Sequence, residues 1–409
     1  LSPVDSTNMD GGDAKNWATQ ISGLRHEQTL NALFNEELGV VLQVRSDARS
    51  DVMQVLREHG LGATSHFIGT VRAPSSSLDM GKGQLSIWRD AQQIFAADLY
   101  DLHQVWDSVS WKICQQRDNP ACADSEHASK GVATDPGMHV HLTFTPQAPA
   151  IHTARPCVAV LREQGVNSHV EMAYAFDRAG FEAIDTHMTD LQSGRVKLAD
   201  VQGVVACGGF SYGDTLGAGV GWARSITFNP ALREAFAEFF ARNDTFGLGV
   251  CNGCQMFAEL ASMIPGAENW PRFTHNQSAR YEARLSMVEV LDSPSIFLQG
   301  MAGSRLPIAV AHGEGYANFA VQGDQSKVLA AMRYVDNHGQ ATEVYPFNPN
   351  GSPAGLTGVT TADGRFTAMM PHPERVFRNI QMSWTDPAAD LQADSPWMQL
   401  WHNARKWVG

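Results

Sequence analysis

The sequence predicts an α/β protein, a parallel sheet flanked by helices, preceded by a smaller α+β domain. Three observations carry that expectation. Beyond Pro156, short uninterrupted apolar runs such as Cys157-Val158-Ala159-Val160-Leu161 alternate with stretches of helical periodicity, the pattern of strands buried on both faces and joined by crossover helices. One such run, Phe246 to Val250, stops at a cysteine fenced by Gly249 and Gly253 and passes straight into Met256-Phe257-Ala258-Glu259-Leu260, which reads as strand, sharp turn and helix. Before residue 105 the alternation is missing, and a short helical pattern lies among segments of strand character. The expected boundaries are 1–105 for the α+β part, 106–153 for an ordered connector and 154–409 for the α/β domain.

With 409 residues, 43% of them hydrophobic, the chain can bury ample core and has the length of two or three domains. It contains no apolar run near the roughly 18 residues of a membrane span, and its first residues lack the charged-then-apolar pattern of a signal peptide. Six irregularly spaced cysteines in such a length fit a reducing cytoplasm. A net charge of −13 argues against nucleic acid as a partner.

In order, residues 1 to 30 are polar and show no leading element. A helix or turn through Leu30–Gly39 leads into an expected strand at Val40–Val44. Val52, Val55 and Leu56 have helical spacing, Gly60 ends that helix, and His66–Val71 reads as a second strand. Ser75–Gly83 is a turn, and Gln84–Trp88 alternates like a half-buried strand. Trp106 and Trp111 lie on an expected helix and are taken to pack against a neighbouring domain; from Asp118-Asn119-Pro120 onward the connector reads as irregular. In the α/β part, Ser168 and Glu171 form a capping-box pattern for a helix that Gly180 stops. Phe181–Thr186 and Val204–Cys207 are strands, and Asn229-Pro230 starts a helix running to about Arg242.

The chemistry concentrates in three places. A nucleophile on a strained strand-to-helix turn needs small neighbours two residues to either side, which Gly249 and Gly253 supply to Cys251. At a helix N-terminus the dipole and unpaired amides favour its thiolate. Cys251 and Cys254 also have CxxC spacing, so a redox dithiol or half a zinc site competes; no second CxxC completes a ligand quartet, we expect no metal, and Cys254 reads as packing. The loop Cys207-Gly208-Gly209-Phe210-Ser211 leaves the strand preceding the elbow strand, and two adjacent glycines let amides, with that of Asn252, face an oxyanion; a plain glycine turn is the alternative. After the strand Arg365–Met370, Pro373 holds His372 extended so that Glu374 projects to the same side as its orienter. His312, in Val310–Gly315, ends a strand and is placed with the substrate-binding residues, although a plain turn fits equally. Asn348–Pro353 is a string of turn formers that reads as a surface or lid loop.

These three pieces in this order resemble the class I glutamine amidotransferases, whose core is flavodoxin-like. Leu161–Asn167, Ala206–Asp214, Gly249–Gln255 and Met370–Arg375 are similar to the glutaminase domain of the phosphoribosylformylglycinamidine synthases, glutamine-dependent ligases of purine biosynthesis. Leu33–Gly39 and Arg117–Cys122 resemble their long single-chain form. The resemblance implies Cys251 as nucleophile, His372 as acid/base and Glu374 as its orienter, with Gln255 and the Gly208, Gly209, Phe210 and Ser211 loop holding glutamine. It implies no tightly bound cofactor in the glutaminase domain. ATP and magnesium are required by the full synthase, and ammonia passes to an ATP- and ribotide-binding half. Because that half precedes the matching region in the family, this chain is expected to be the C-terminal part of a longer enzyme that alone makes no product. Residues 1–105 would then be the end of a synthase region of the aminoimidazole-ribotide-synthetase type. The rival expectations are a cysteine peptidase or esterase on the same elbow plan, and a non-catalytic docking fragment.

Overall fold

The apolar runs beyond Pro156 become the parallel half of a nine-stranded sheet. The computed structural model describes residues 14–71, 83–89, 91–150 and 154–409, and the chain divides into two compact units, one ending at Leu99 and one spanning Tyr100–Gly409.

In the first unit the described elements include helices α1 (Ala14–Phe34) and α2 (Arg49–Glu58) and a hairpin of β1 (Gln84–Arg89) with β2 (Gln92–Asp98). Helix α2 and β1 are where the sequence puts them, and Gly60 closes α2 with a positive φ of 74°. Two expectations are corrected. Residues 14–34 form a long helix where no leading element was expected, and neither Val40–Val44 nor His66–Val71 is a strand. Both runs have β-forming residues, but Val40, Val41 and Ile68 are exposed and among the described residues no strand pairs with them; β propensity without a partner ladder does not make a strand. Residues 1–13 and all but the last residue of the Ser75–Gly83 turn lie outside the described residues.

The second unit opens on a helical pair, α3 (Leu99–Arg117) and α4 (Pro120–Ser129). The irregular stretch expected after Asp118 therefore begins with a helix: Asn119 accepts from the Ala121 amide at 3.0 Å and Pro120 occupies the first helical position. Trp111 stacks on His127 with ring centroids 4.2 Å apart and donates to Asp124 at 2.8 Å, so it ties the two helices together. Trp106, expected to pack, is exposed. The pair is pinned to the rest of its unit by Asn119, whose amide groups donate to Ser278 O at 3.0 Å and Gln277 O at 2.7 Å.

The parallel strands are β3 (Cys157–Arg162), β4 (Glu182–His187), β5 (Gly203–Ala206), β6 (Phe246–Val250) and, from much later in the chain, β13 (Phe366–Met369). Helices α5 (His169–Arg178), α6 (Met188–Gln192), α7 (Val220–Thr227), α8 (Pro230–Ala241), α9 (Asn252–Glu259) and α10 (Met398–Val408) accompany them. Asn229 caps α8 through the Leu232 amide at 3.2 Å, as its sequence predicts. Ser168 does not cap α5: its hydroxyl accepts from the Gly208 amide at 2.8 Å, a bond used by the site below.

The sheet is mixed where a parallel one was expected. Beyond β13 it continues with β12 (Leu356–Thr360), β11 (Leu329–Tyr334), β8 (Glu282–Val290) and β9 (Arg305–His312), all antiparallel, in the order β4-β3-β5-β6-β13-β12-β11-β8-β9; β7 (Arg272–Thr274) and β10 (Tyr316–Asn318) form a separate pair. This extension curls. Its last strand returns to the end of β13, where the His372 amide donates to Ala309 O at 2.8 Å. Among the described residues, no helix is long and apolar enough to cross a membrane.

Candidate active site

The end of β6 positions the sulfur. Cys251 takes φ 53° and ψ −111°, a conformation that costs an L-residue of order 1–3 kcal/mol and persists only when its surroundings enforce it. They do so through the two glycines. A Cβ on Gly249 would stand 2.7 Å from Gly253 O, and one on Gly253 would stand 2.0 Å from Ala206 O. Helix α9 can thus begin directly against β5, with Cys251 as its N-cap residue. Gly253→Ala is expected to destabilise the protein by about 3 kcal/mol or more, since backbone and not a side-chain tip must yield. Thermal unfolding of parent and variant checks this, and an unchanged midpoint would contradict the close approach.

Cys251, His312 and His372 are all buried, and one ligand atom from each lies within 4.8 Å of the others. His372 Nδ1 is 2.6 Å from Glu374 Oε1, both side chains being essentially inaccessible, so the imidazole donates from Nδ1 and turns Nε2 to the sulfur. The pair arises differently from expectation. His372 is extended, but Pro373–Arg375 is a 3₁₀ turn, and the turn, not strand alternation, folds the carboxylate back onto the ring.

Burial by itself pushes the Cys251 thiol up, but the positive charge of His372 and polar contacts from both imidazoles outweigh it, and the thiol is held well below its ordinary range. Burial likewise opposes the His372 imidazolium, and the charges of Glu374 and Cys251 overcome it, raising that group. The resting state at neutral pH is therefore a thiolate–imidazolium pair. Cys254 is buried with its thiol raised far up, by burial first and by the Cys251 charge second, which matches a packing residue.

His312 reaches the sulfur because β9 curls back. Its Nε2 lies 2.8 Å from Asn350 Oδ1, and the Asn350 amide nitrogen donates to Gly315 O at 2.9 Å and the Tyr334 hydroxyl at 3.3 Å. Those two bonds fix the amide's orientation, so the ring donates from Nε2 and its Nδ1 is buried with no partner apart from the sulfur. The segment expected as a surface or lid loop is thus interior: Asn348, Asn350 and Ser352 are fully buried. Its turn formers were legible, and its role as a strut was not.

The glycine loop also lies against the sulfur. A Cβ on Gly208 would be 2.5 Å from the His372 ring and 3.2 Å from Cys251 Cβ. The Gly208 amide is taken by Ser168, which leaves the amides of Gly209 and Asn252, neither bonded among the described residues, as the available donors. The Ser211 hydroxyl is buried without a partner, while its amide donates to Asn252 Oδ1 at 3.3 Å. Phe210 is partly exposed and its ring faces that of Tyr281 with centroids 6.2 Å apart. Gln255 spends its side chain internally, donating to Glu314 O at 2.7 Å and accepting from Asn252 at 3.4 Å.

Two carboxylates that the sequence reading assigned no role complete the surroundings. Asp214 accepts from Asn252 Nδ2 at 3.1 Å, and burial, then the charge of Glu314, pushes its carboxyl up to about 6. Glu314 accepts from the Ala218 amide at 3.1 Å. Both sat inside motifs already singled out, and what was missing was their proximity across 100 residues of chain. A separate cavity of about 270 Å³, lined by Leu191, Lys197, Leu232, Phe239 and neighbours, involves none of these residues.

Residues 155–408 match the family described as the CobB/CobQ-like glutamine amidotransferase domain. Among solved structures, PurLQS from Thermotoga maritima is similar at 26% identity over 56% of this chain and 92% of its own, with a TM-score of 0.44. A glutamine amidotransferase from Thermotoga maritima is similar at 17% identity over 55% and 77%, with a TM-score of 0.34. A glutamine amidotransferase from Methylobacillus flagellatus is similar at 13% identity over 63% and 95%, with a TM-score of 0.33.

Proposed function

Because the chain belongs to the CobB/CobQ-like glutamine amidotransferase domain family, we propose that it releases ammonia from glutamine through a Cys251 thioester. The observation that carries this reading is the buried Cys251–His372–Glu374 line at the start of α9. The thiolate attacks the side-chain amide carbon, and the oxyanion is held by the Gly209 and Asn252 amides. The imidazolium gives its proton to the departing ammonia. The now neutral His372 then takes a proton from water, the hydroxide attacks the thioester, and glutamate leaves as the sulfur recovers its electron pair.

Substrate orientation follows from the groups left over. The Ser211 hydroxyl is placed for a polar group of glutamine, and Gln255 acts through Glu314 and Asn252 without touching substrate. Asp214 and Glu314 form a like-charged pair beside the nucleophile, which suits the glutamine α-ammonium. Asp214→Asn is expected to raise KM for glutamine roughly tenfold or more, the worth of a charge-assisted hydrogen bond, with a smaller change in kcat. Asp214 is charged above its raised pKa of about 6 and neutral below it, so the parent KM rises as pH falls through that value while the variant's does not. A KM indifferent to the substitution would reassign the ammonium site.

The finer reading is that the ammonia serves ATP- and magnesium-dependent conversion of formylglycinamide ribotide to its amidine by a synthase partner, in cytoplasmic purine synthesis. What supports it is the convergence of the four stretches whose sequences resemble that enzyme group: Val166 bridges Gly209, the Asn167 amide donates to Gly208 O at 3.1 Å, and Arg375 donates to Asn167 at 2.9 Å. Two experiments separate the levels. Ammonia and glutamate produced in equal amounts from glutamine test the first. For the second, cells carrying Cys251→Ala are expected to need purine or high ammonium; growth without either would set aside the purine assignment alone.

A further inference from the structure

We propose that Cys251, His312 and His372 form a binding site for a thiophilic divalent cation of the zinc type, which blocks the nucleophile reversibly. Amide hydrolysis needs one imidazole at the sulfur, and this site has two. Each is wired as metal-binding histidines are, the far nitrogen donating to a fixed oxygen and the near nitrogen left for a ligand once any proton on it has gone: Nδ1 of His372 to Glu374 at 2.6 Å and Nε2 of His312 to Asn350 at 2.8 Å. The near nitrogens, His372 Nε2 and His312 Nδ1, are buried and have no protein hydrogen-bond partner. A tetrahedral Zn²⁺ with bonds of about 2.0–2.3 Å holds its ligand atoms roughly 3.5 Å apart, and the three atoms here lie within 4.8 Å of one another. Side-chain shifts of about an ångström close the difference without moving β6, β9 or the turn after β13. Two nitrogens and a sulfur select Zn²⁺ or Co²⁺ over Mg²⁺ or Ca²⁺.

Binding forms one metal–sulfur and two metal–nitrogen bonds and releases to solvent the single proton shared by the cysteine–histidine pair. The fourth position stays open for water. The sulfur electron pair that attacks glutamine is then engaged, so the cation is a dead-end occupant and not a participant in the hydrolysis. The site uses the same residues as the glutaminase reading but does not depend on it.

The test is a titration of the chelator-treated full chain with CoCl₂, followed by sulfur-to-cobalt charge-transfer absorption and the visible bands of tetrahedral cobalt. One Co²⁺ per chain is expected, displaced by ZnCl₂, with the charge-transfer band lost in Cys251→Ser and affinity at least about tenfold weaker in His312→Ala. On the parent protein, saturating ZnCl₂ should shield Cys251 from iodoacetamide, read by mass spectrometry, and a chelator should restore its labelling. A parent that binds no cobalt, a band that survives Cys251→Ser, or a Cys251 alkylated equally with and without zinc would overturn the proposal. Ammonia release by the metal-free preparation is measured alongside. Cobalt binding without ammonia release would uphold the site and remove the glutaminase reading, whereas release without cobalt binding would remove the site alone.

Discussion

Cys251→Ala is expected to lower ammonia release from glutamine by at least roughly 10⁴-fold, the scale seen when a nucleophile is removed from a triad that works as a unit. The loss should fall on kcat, because the Asp214–Glu314 pair is held by Asn252 and Ala218 and not by the sulfur. A glutamine-like chloroketone is expected to label one thiol per chain in the parent and to leave the variant unmodified. Cys254→Ala gives the contrast: its side chain is buried one helical turn away with its thiol held far up, and its loss should cost stability and little activity. Retained ammonia release in Cys251→Ala, or an equal loss in Cys254→Ala, would overturn the assignment of the nucleophile.

Glu374→Gln is expected to lower kcat by about 10³–10⁴-fold, as when the orienting carboxylate of a hydrolase triad becomes an amide, and to reshape the pH profile. In the parent the thiol lies below its ordinary value and the imidazolium above its own. Activity therefore rises as the lowered thiol ionises, stays level, and falls as the raised imidazolium loses its proton. Glu374 is the larger of the two charges holding that proton. With glutamine in its place the imidazolium drops toward about 6.5 and the thiol climbs toward about 8.5, so the uncharged pair dominates between them. The plateau should shrink from both sides, and a profile of unchanged width would show that Glu374 does not set the charge state. The same variant leaves a buried amide where a carboxylate accepted the His372 proton, so a circular dichroism check accompanies the kinetics.

How much of this was legible follows from where the information resides. Cys251, its glycine fence, the Gly208-Gly209 loop and His372-Pro373-Glu374 are local patterns at strand ends that the structure brings together, although Glu374 reaches His372 through a 3₁₀ turn and not through strand alternation. The parallel strands were equally readable, since burial on both faces leaves an unbroken apolar run such as Val158–Leu161. The antiparallel half was not. Strands such as β8, with Glu282, Arg284 and Glu289 among its apolar residues, take their identity from partners dozens of residues away. His312 depends on that half, because nothing near it in the chain announces that β9 will curl back to β13. Asn350 was misjudged for a related reason: turn-forming residues are usually solvated, and here their amides satisfy buried groups instead. Val40–Val44 failed in the opposite direction, having the composition of a strand and, among the described residues, no edge to join.

Asn119, at the junction of α3 and α4, holds Gln277 O and Ser278 O. The Gln277 amide in turn donates to Asn350 O at 3.0 Å, and Asn350 grips the ring beside Cys251. Four residues therefore link a helical corner on the surface to the imidazole flanking the sulfur, each joint a single bond of about 3 Å or less. The seat of the His312 ring is therefore not built by its own sheet alone: its orienting amide rests on backbone that a helical corner outside the sheet also holds.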